Sequence, residues 1–259
     1  MRLRIIACEV LARELYYCAA TSPHIIDISL IRRGLHETPD VLRAEIQKQI
    51  DQVAQEDSDS PALPPDAICL GYALCGNATA GLIARNVPLV IPRAHDCITL
   101  YLGSRARYNE EFTSHPGTYY YAMDYIERSD RRGTVVPLGT TSDARRKEVY
   151  EEYVQKYGKD NADYLLEVMG GWMAHYNRAA FIDLGIGDAT GVEAQARAEA
   201  SSKGWMFEKL AGDLVLIRKL TYGDWDDDFL VVPPGGELTV TYDHNILGCR
   251  HAVSAGRAR

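Results

Sequence analysis

Three apolar runs in this chain each end on residues able to bind a soft metal ion. Cys8 follows RLRIIA, Cys75 stands just after AICLGYAL, and His95 and Cys97 follow PLVIP. Thiolate and imidazole are the donors that zinc and iron favour over magnesium or calcium. If the runs are neighbouring parallel strands, their ends meet at one edge of a sheet, where open α/β sheets bind ligands. Adjacent strands lie about 4.8 Å apart, so side chains from adjoining loops can share one ion. Cys8, Cys75, His95 and Cys97 together would close a structural zinc site. A subset would leave a position for water or substrate, as catalytic sites require. Zinc is the expected ion, with iron second. Two other readings stay open. Cys75 or Cys97 could be a metal-free nucleophile activated by His95 and a helix start. The cysteines could also be small core hydrophobes, and no CxxC pair is present to argue otherwise.

Several neighbours could serve such a site. Glu9 and Asp96 flank the proposed ligands and could move protons or orient a ligand. Glu9 equally suits a helix N-terminus. His36, in GLHETPD, could reach the same edge as a ligand, a proton donor or a partner of a ligand, or simply bond to its own loop. In CGNATAG, the backbone around Gly76 and Asn77 offers N–H groups at an expected helix start, a place for an anion or cofactor. GIGDATG offers the same, but a cap at Asp188 or Thr190 explains it equally well. Neither stretch is the dinucleotide fingerprint. Cys18 and Cys69 read as packing residues. Cys249 could join His244 and His251, though they lie near the end of the chain. The sixteen tyrosines read mainly as packing, and DWDDDF as a solvated acidic turn.

Positioning these residues requires a particular set of elements. Apolar runs at 4–7, 24–32, 67–74 and 88–92 read as strands. Helices are expected over Glu9–Ala20, Val41–Gln55 and Ile98–Phe112, with a turn and short helix at CGNATAGL. Strand–helix alternation predicts an α/β fold, a mostly parallel sheet with helices on both faces. GTYYYAMDYIE reads as a tyrosine-rich strand. Charged helices follow over Ser142–Tyr157 and Lys159–Tyr176, then a strand at AAFIDLGI and a capped helix. The change in character suggests a metal-site lobe over residues 1–135 and a closely packed second lobe over 136–259. Two similar lobes are an open variant of this division.

Composition narrows the function classes. The chain has 259 residues, 46% hydrophobic and 25% charged, with net charge -8. It can bury a sizeable core without disulfides. The acidity and the lack of a basic stripe argue against a nucleic-acid partner. No apolar window approaches the roughly 18 residues a membrane span needs. The apolar run of MRLRIIACEV is too short for a signal peptide, so a cytoplasmic location is expected. In that setting six cysteines point to metal or catalysis rather than disulfides.

The stretches ACEVLARE, GLHETPD, LGYALCGNATAGL, PRAHDCITLYLGSRARY, PGTYYYAMDYIER, YGKDNADYL and GDW with DFLVVPPG carry a family resemblance across nearly the whole chain. The sequence resembles the prokaryotic family numbered sixteen thirty-eight among domains of unknown function. That resemblance implies no established activity and no catalytic residues. It implies a setting beside corrinoid-dependent methyltransferase systems. The expected partners are therefore a small-molecule substrate or corrinoid methyl-transfer proteins, with a homodimer also open. The expected activity is metal-dependent methyl or group transfer. The alternative is a non-catalytic protein that binds a metal or metallocofactor.

Overall fold

The computed structural model describes residues 1–35, 38–59, 63–128 and 175–251, together with 151, 154, 158 and 159. In chain order the strands are β1 (Arg2–Cys8), β2 (Ile25–Ile31), β3 (Ala67–Gly71), β4 (Leu89–Pro92), β5 (Thr118–Ala122), β6 (Arg178–Asp183), β7 (Met206–Ala211), β8 (Phe229–Val232), β9 (Gly236–Val240) and β10 (Leu247–His251). The described helices are α1 (Ala12–Thr21), α2 (Pro39–Asp59), α3 (Cys97–Leu102), α4 (Arg105–Ser114), α5 (Met123–Glu127), α6 (Thr190–Ser202) and α7 (Val215–Tyr222). They form two compact units. One comprises Met1–Arg105 and Asp213–Arg259, the other Ala106–Gly212. The boundary expected at 135/136 lies outside the described residues, as do most of the charged helices expected over 142–157 and 159–176.

The first unit is a five-stranded sheet in the order β2-β1-β3-β4-β8. Its first four strands are parallel, and β8 closes the edge antiparallel to β4. These strands are short apolar runs because helices cover both faces. Leu42, Ile46, Ile50 and Val53 recur along α2 at helical spacing and pack on Ile6, Ile68 and Leu70. On the opposite face α1 packs against α7. There Leu15 of α1 lies beside the close approach of Gly71 to Ala7. From β1 the chain passes to β2 on one side, and β3 lies on the other. The gap between the carboxyl ends of β1 and β3 is therefore a topological switch point, where an open sheet leaves a crevice.

The second unit is a parallel sheet in the order β5-β6-β7. Val192, Ala196 and Ala200, spaced four residues apart along α6, pack with Tyr119, Tyr121 and Phe181. Arg178 is 1% exposed and forms 2.7 Å ion pairs with both Glu111 and Glu208. A lone buried guanidinium would be very costly, so the two carboxylates make its burial tolerable.

Local structure departs from the sequence expectation at three points. The helix expected over 98–112 breaks at Gly103, whose φ of 73° lets it cap α3 in the left-handed region. The strand through PGTYYYAMDYIE stops at Ala122, and MDYIE turns into α5. No helix follows CGN, and residues 75–81 are consecutive turns. Among the described residues no helix is long and apolar enough to cross a membrane.

Candidate functional site

The switch-point crevice is built by three chain segments. β1 delivers Cys8 at its last position, and a tight 3-10 turn, Glu9–Leu11, follows immediately. Beyond β3 the chain runs on through Tyr72 to Cys75, and beyond β4 through Ala94 to Cys97. These two loops continue the pairing of their strands. The Leu74 N–H donates to the Ala94 carbonyl at 2.9 Å, and the Cys75 N–H to the His95 carbonyl at 3.0 Å. Cys97 opens α3, and the Asp96 carboxylate caps that helix by accepting from the Ile98 N–H at 3.0 Å. Such a cap is worth about 1 kcal/mol. The buried Tyr101 hydroxyl donates to the Val10 carbonyl. That bond ties α3, which begins at Cys97, to the turn that begins after Cys8.

Cys75 is held in an unusual backbone. Its φ is 48°, and Gly76 and Asn77 follow at 64° and 70°. A left-handed conformation costs a non-glycine residue about 1–2 kcal/mol. It persists here because the surroundings fix it. The Ala78 N–H closes the turn on the Cys75 carbonyl at 3.2 Å, and the Thr79 hydroxyl donates to the Ala73 carbonyl at 3.1 Å. Strain of this kind collects at functional sites.

Burial and neighbouring charge raise the thiol pKa values here. Burial pushes the Cys75 thiol up to about 12, and the neighbouring Cys8 sulfur and Asp96 carboxylate add to the shift. Burial likewise holds the Cys97 thiol well above its ordinary value, reinforced by Asp96, Cys75 and Cys8. Cys8, Cys75 and Cys97 are therefore near enough to oppose one another's ionisation. Cys75 and Cys97 would thus be protonated at neutral pH, the reverse of what a metal-free nucleophile requires. A bound cation reverses this, because a coordinated thiol loses its proton outright. Among the described residues, no group of three or more His, Cys, Asp or Glu side chains is arranged to hold an ion.

The other candidate residues separate clearly. Asp96 stands beside the thiols and also serves as a helix cap. The His95 side chain is exposed, and it is its backbone carbonyl that meets Cys75. Glu9 accepts from the Arg33 N–H at 2.7 Å, fixing the start of the loop that leads toward His36. His36 itself lies outside the described residues. Gly76 and Asn77 are exposed, and the Asn77 carbonyl accepts from the Arg43 guanidinium at 2.9 Å. That turn thus offers a carbonyl to a cation, where the sequence suggested amides for an anion. Cys18 and Cys69 are buried core thiols, and Cys249 lies on β10 against the core. His251 ends that strand.

Sequence reasoning missed Tyr72. It is 3% exposed, and its hydroxyl has no hydrogen-bond partner among the described residues. Burial raises its pKa, and so do the nearby Cys8, Cys75, Glu9 and Glu45. The available signal was a phenol placed at the end of an apolar strand, three residues before Cys75.

A family model described as "Protein of unknown function (DUF1638)" matches residues 30–221. The chain belongs to this family. The matched stretch contains Tyr72, Cys75, His95, Asp96 and Cys97, while Cys8 and Glu9 precede it. No curated protein matches the chain.

Proposed function

We propose that this protein binds one thiophilic ion, zinc or iron, through Cys8, Cys75 and Cys97, and uses it in group transfer. What supports the reading is that Cys8 ends β1 while Cys75 and Cys97 follow β3 and β4, three neighbouring parallel strands. Their donor set suits a soft or borderline ion. Three protein ligands would leave a fourth position open for a substrate, as in catalytic zinc sites. When bound, the ion would supply Lewis acidity and keep a coordinated substrate thiol deprotonated at neutral pH.

The protein's own groups have defined tasks in this reading. The left-handed turn at Cys75 and the cap at Asp96 would fix the approach of these two thiols to an ion. Asp96 adds negative charge that favours a cation over an anion at the site. Glu9 holds the start of the loop after β2, and His95 would be the candidate fourth ligand. Transfer of a methyl group to a substrate thiolate is the reaction the family resemblance points to. A small molecule or a corrinoid protein would be its source.

Elemental analysis of protein purified without added metal tests the reading. Wild-type protein is expected to carry about one ion per chain, and Cys75→Ser and Cys97→Ser are each expected to lose it. Equal metal content in all three proteins would remove the site.

A further inference from the structure

We propose that the outer edge of β2 is an interface at which a second copy of this chain pairs, antiparallel, across a two-fold axis centred on Ile28. The interface is independent of the ion-binding reading. β2 is the end strand of its sheet, bonded to β1 on one side and, among the described residues, to no strand on the other. It runs seven residues, Ile25–Ile31, without proline, glycine or lysine. Its one charge, Asp27, is paired with Arg2 at 3.3 Å. Edge strands this long and apolar are rarely left open, because their free N–H and C=O groups template pairing with another chain. Two other edges carry protection. β8 is four residues long and runs into Pro233 and Pro234, and β7 carries Glu208 and Lys209.

The ladder fixes which groups of β2 are free. The Ile25 N–H donates to the Met1 carbonyl at 3.1 Å. Backbone direction alternates along a strand, so Ile25, Asp27, Ser29 and Ile31 turn their groups toward β1, while Ile26, Ile28 and Leu30 turn theirs outward. The side chains of those outward residues share the sheet face of Leu3, Ile5 and Ala7, their partners in β1. Leu3, Ile5 and Ala7 are fully buried, yet Ile26, Ile28 and Leu30 each stay partly exposed, and Ile25 is 62% exposed.

An antiparallel partner must set outward residues opposite outward residues. Centring on Ile28 places Ile28 opposite its own copy and Ile26 opposite Leu30 of the second copy. All of these are hydrogen-bonded pairs, giving about six N–H···O=C bonds across the axis. On the other sheet face Asp27 meets Ser29 of the second copy, and Ile25 meets Ile31. Centring on Asp27 would instead set two carboxylates directly opposite, which is destabilising. Centring on Ser29 would set Asp27 against Ile31 and Ile26 against Arg32, and centres nearer either end pair fewer residues. The strand is therefore complementary to itself in one register, as a two-fold interface requires. A single strand pair is a small interface, so dissociation in the micromolar range is expected.

The test is sedimentation equilibrium of the metal-free full chain over about 1 to 200 μM. Wild type is expected to dimerise. Ile28→Lys sets two ammonium groups opposite each other at the axis and is expected to weaken the dimer more than tenfold. Val231→Lys, at a 45% exposed position on the opposite edge of the same sheet, is expected to leave it unchanged. Ser29 reads the register. Ser29→Lys would face Asp27 of the second copy and tighten the dimer about twofold or more, and Ser29→Asp would weaken it by as much. In wild type the Ile26, Ile28 and Leu30 amides are expected to exchange more slowly at high protein concentration than at low. Circular dichroism checks that each variant is folded, and the Ser29 variants and amide exchange decide the matter if Ile28→Lys is not. A monomer over the whole range, a folded Ile28→Lys chain that stays dimeric, or a Val231→Lys chain that dissociates would overturn the proposal. So would Ser29 variants that shift affinity in the same direction, or amide exchange in β2 that does not depend on concentration.

Discussion

Replacing Gly71 with alanine tests whether the site is built by the approach of β1 to β3. The two strands pair in parallel with Ala7 opposite Gly71, one position before Cys8. A Cβ added at Gly71 would lie 2.4 Å from the Ala7 Cβ, 3.2 Å from the Ala7 Cα and 3.3 Å from the Leu15 Cδ1. Carbon atoms need about 3.5–4.0 Å, so the strands must part by roughly 1 Å or more. Overpacking of this kind costs about 1–3 kcal/mol. For a chain of this size each kcal/mol lowers the melting temperature by about 2–4 °C, giving a fall of about 2–12 °C. The displacement occurs beside Cys8 and opens the gap to the loop of Cys75. Metal–ligand distances tolerate only about 0.2 Å, so ion affinity is expected to fall more than tenfold. Thermal unfolding of the metal-free protein and a competitive chelator titration measure the two effects. Gly191→Ala is the control, because nothing lies within 4 Å of its added Cβ and it sits in the first turn of α6. That change is expected to raise stability by up to about 1 kcal/mol. Gly71→Ala with wild-type melting and wild-type ion affinity would refute the reasoning.

Two further outcomes follow from buried groups. Burial raises the Cys18 thiol from its ordinary value to about 11, and raises Cys69 further. Because their folded pKa values exceed the unfolded value of about 8.5, their contribution is complete below that pH and is lost as pH rises toward the folded values. Urea unfolding of the metal-free protein should therefore show stability falling above about pH 9, by about 1.4 kcal/mol per pH unit for each such thiol. Cys18→Ala should reduce that slope, and an unchanged slope would contradict the burial argument. In the second unit, Arg178→Met leaves Glu111 and Glu208 without their shared cation. Fully buried pairs lose about 3–5 kcal/mol when broken, but Glu208 reaches solvent, so about 2–3 kcal/mol is expected in urea unfolding. A loss under 1 kcal/mol would show that the cluster is not holding the amino end of β6.

Much of the sheet was legible because its strands are continuous apolar runs, and such runs signal burial on both faces. The positions of Cys8, Cys75 and Cys97 at or beyond strand ends were legible for the same reason, since each stands where an apolar run gives out. What the sequence did not disclose depends on backbone angles and on tertiary approach. The break between α3 and α4 turns on the left-handed φ of Gly103, and the turns after Cys75 on three successive positive φ values. The pairing of the two loops, in which the His95 carbonyl accepts from the Cys75 N–H, also depends on tertiary approach. Tyr72 was hidden by its setting, because a phenol in an apolar run reads as packing until its hydroxyl is seen to lack a partner. Gly71 was silent because only the register of β1 against β3 places Ala7 against it. His36 remained a candidate from sequence alone, since it lies outside the described residues.

Cobalt(II) titration of the metal-free full chain, followed by its thiolate-to-metal charge-transfer absorption, measures sulfur coordination directly. The account predicts saturation near one equivalent. It also predicts that Cys8→Ser, Cys75→Ser and Cys97→Ser each remove about one third of the band per bound ion, or abolish binding. A spectrum without sulfur charge transfer, or one that all three variants leave unchanged, would contradict it.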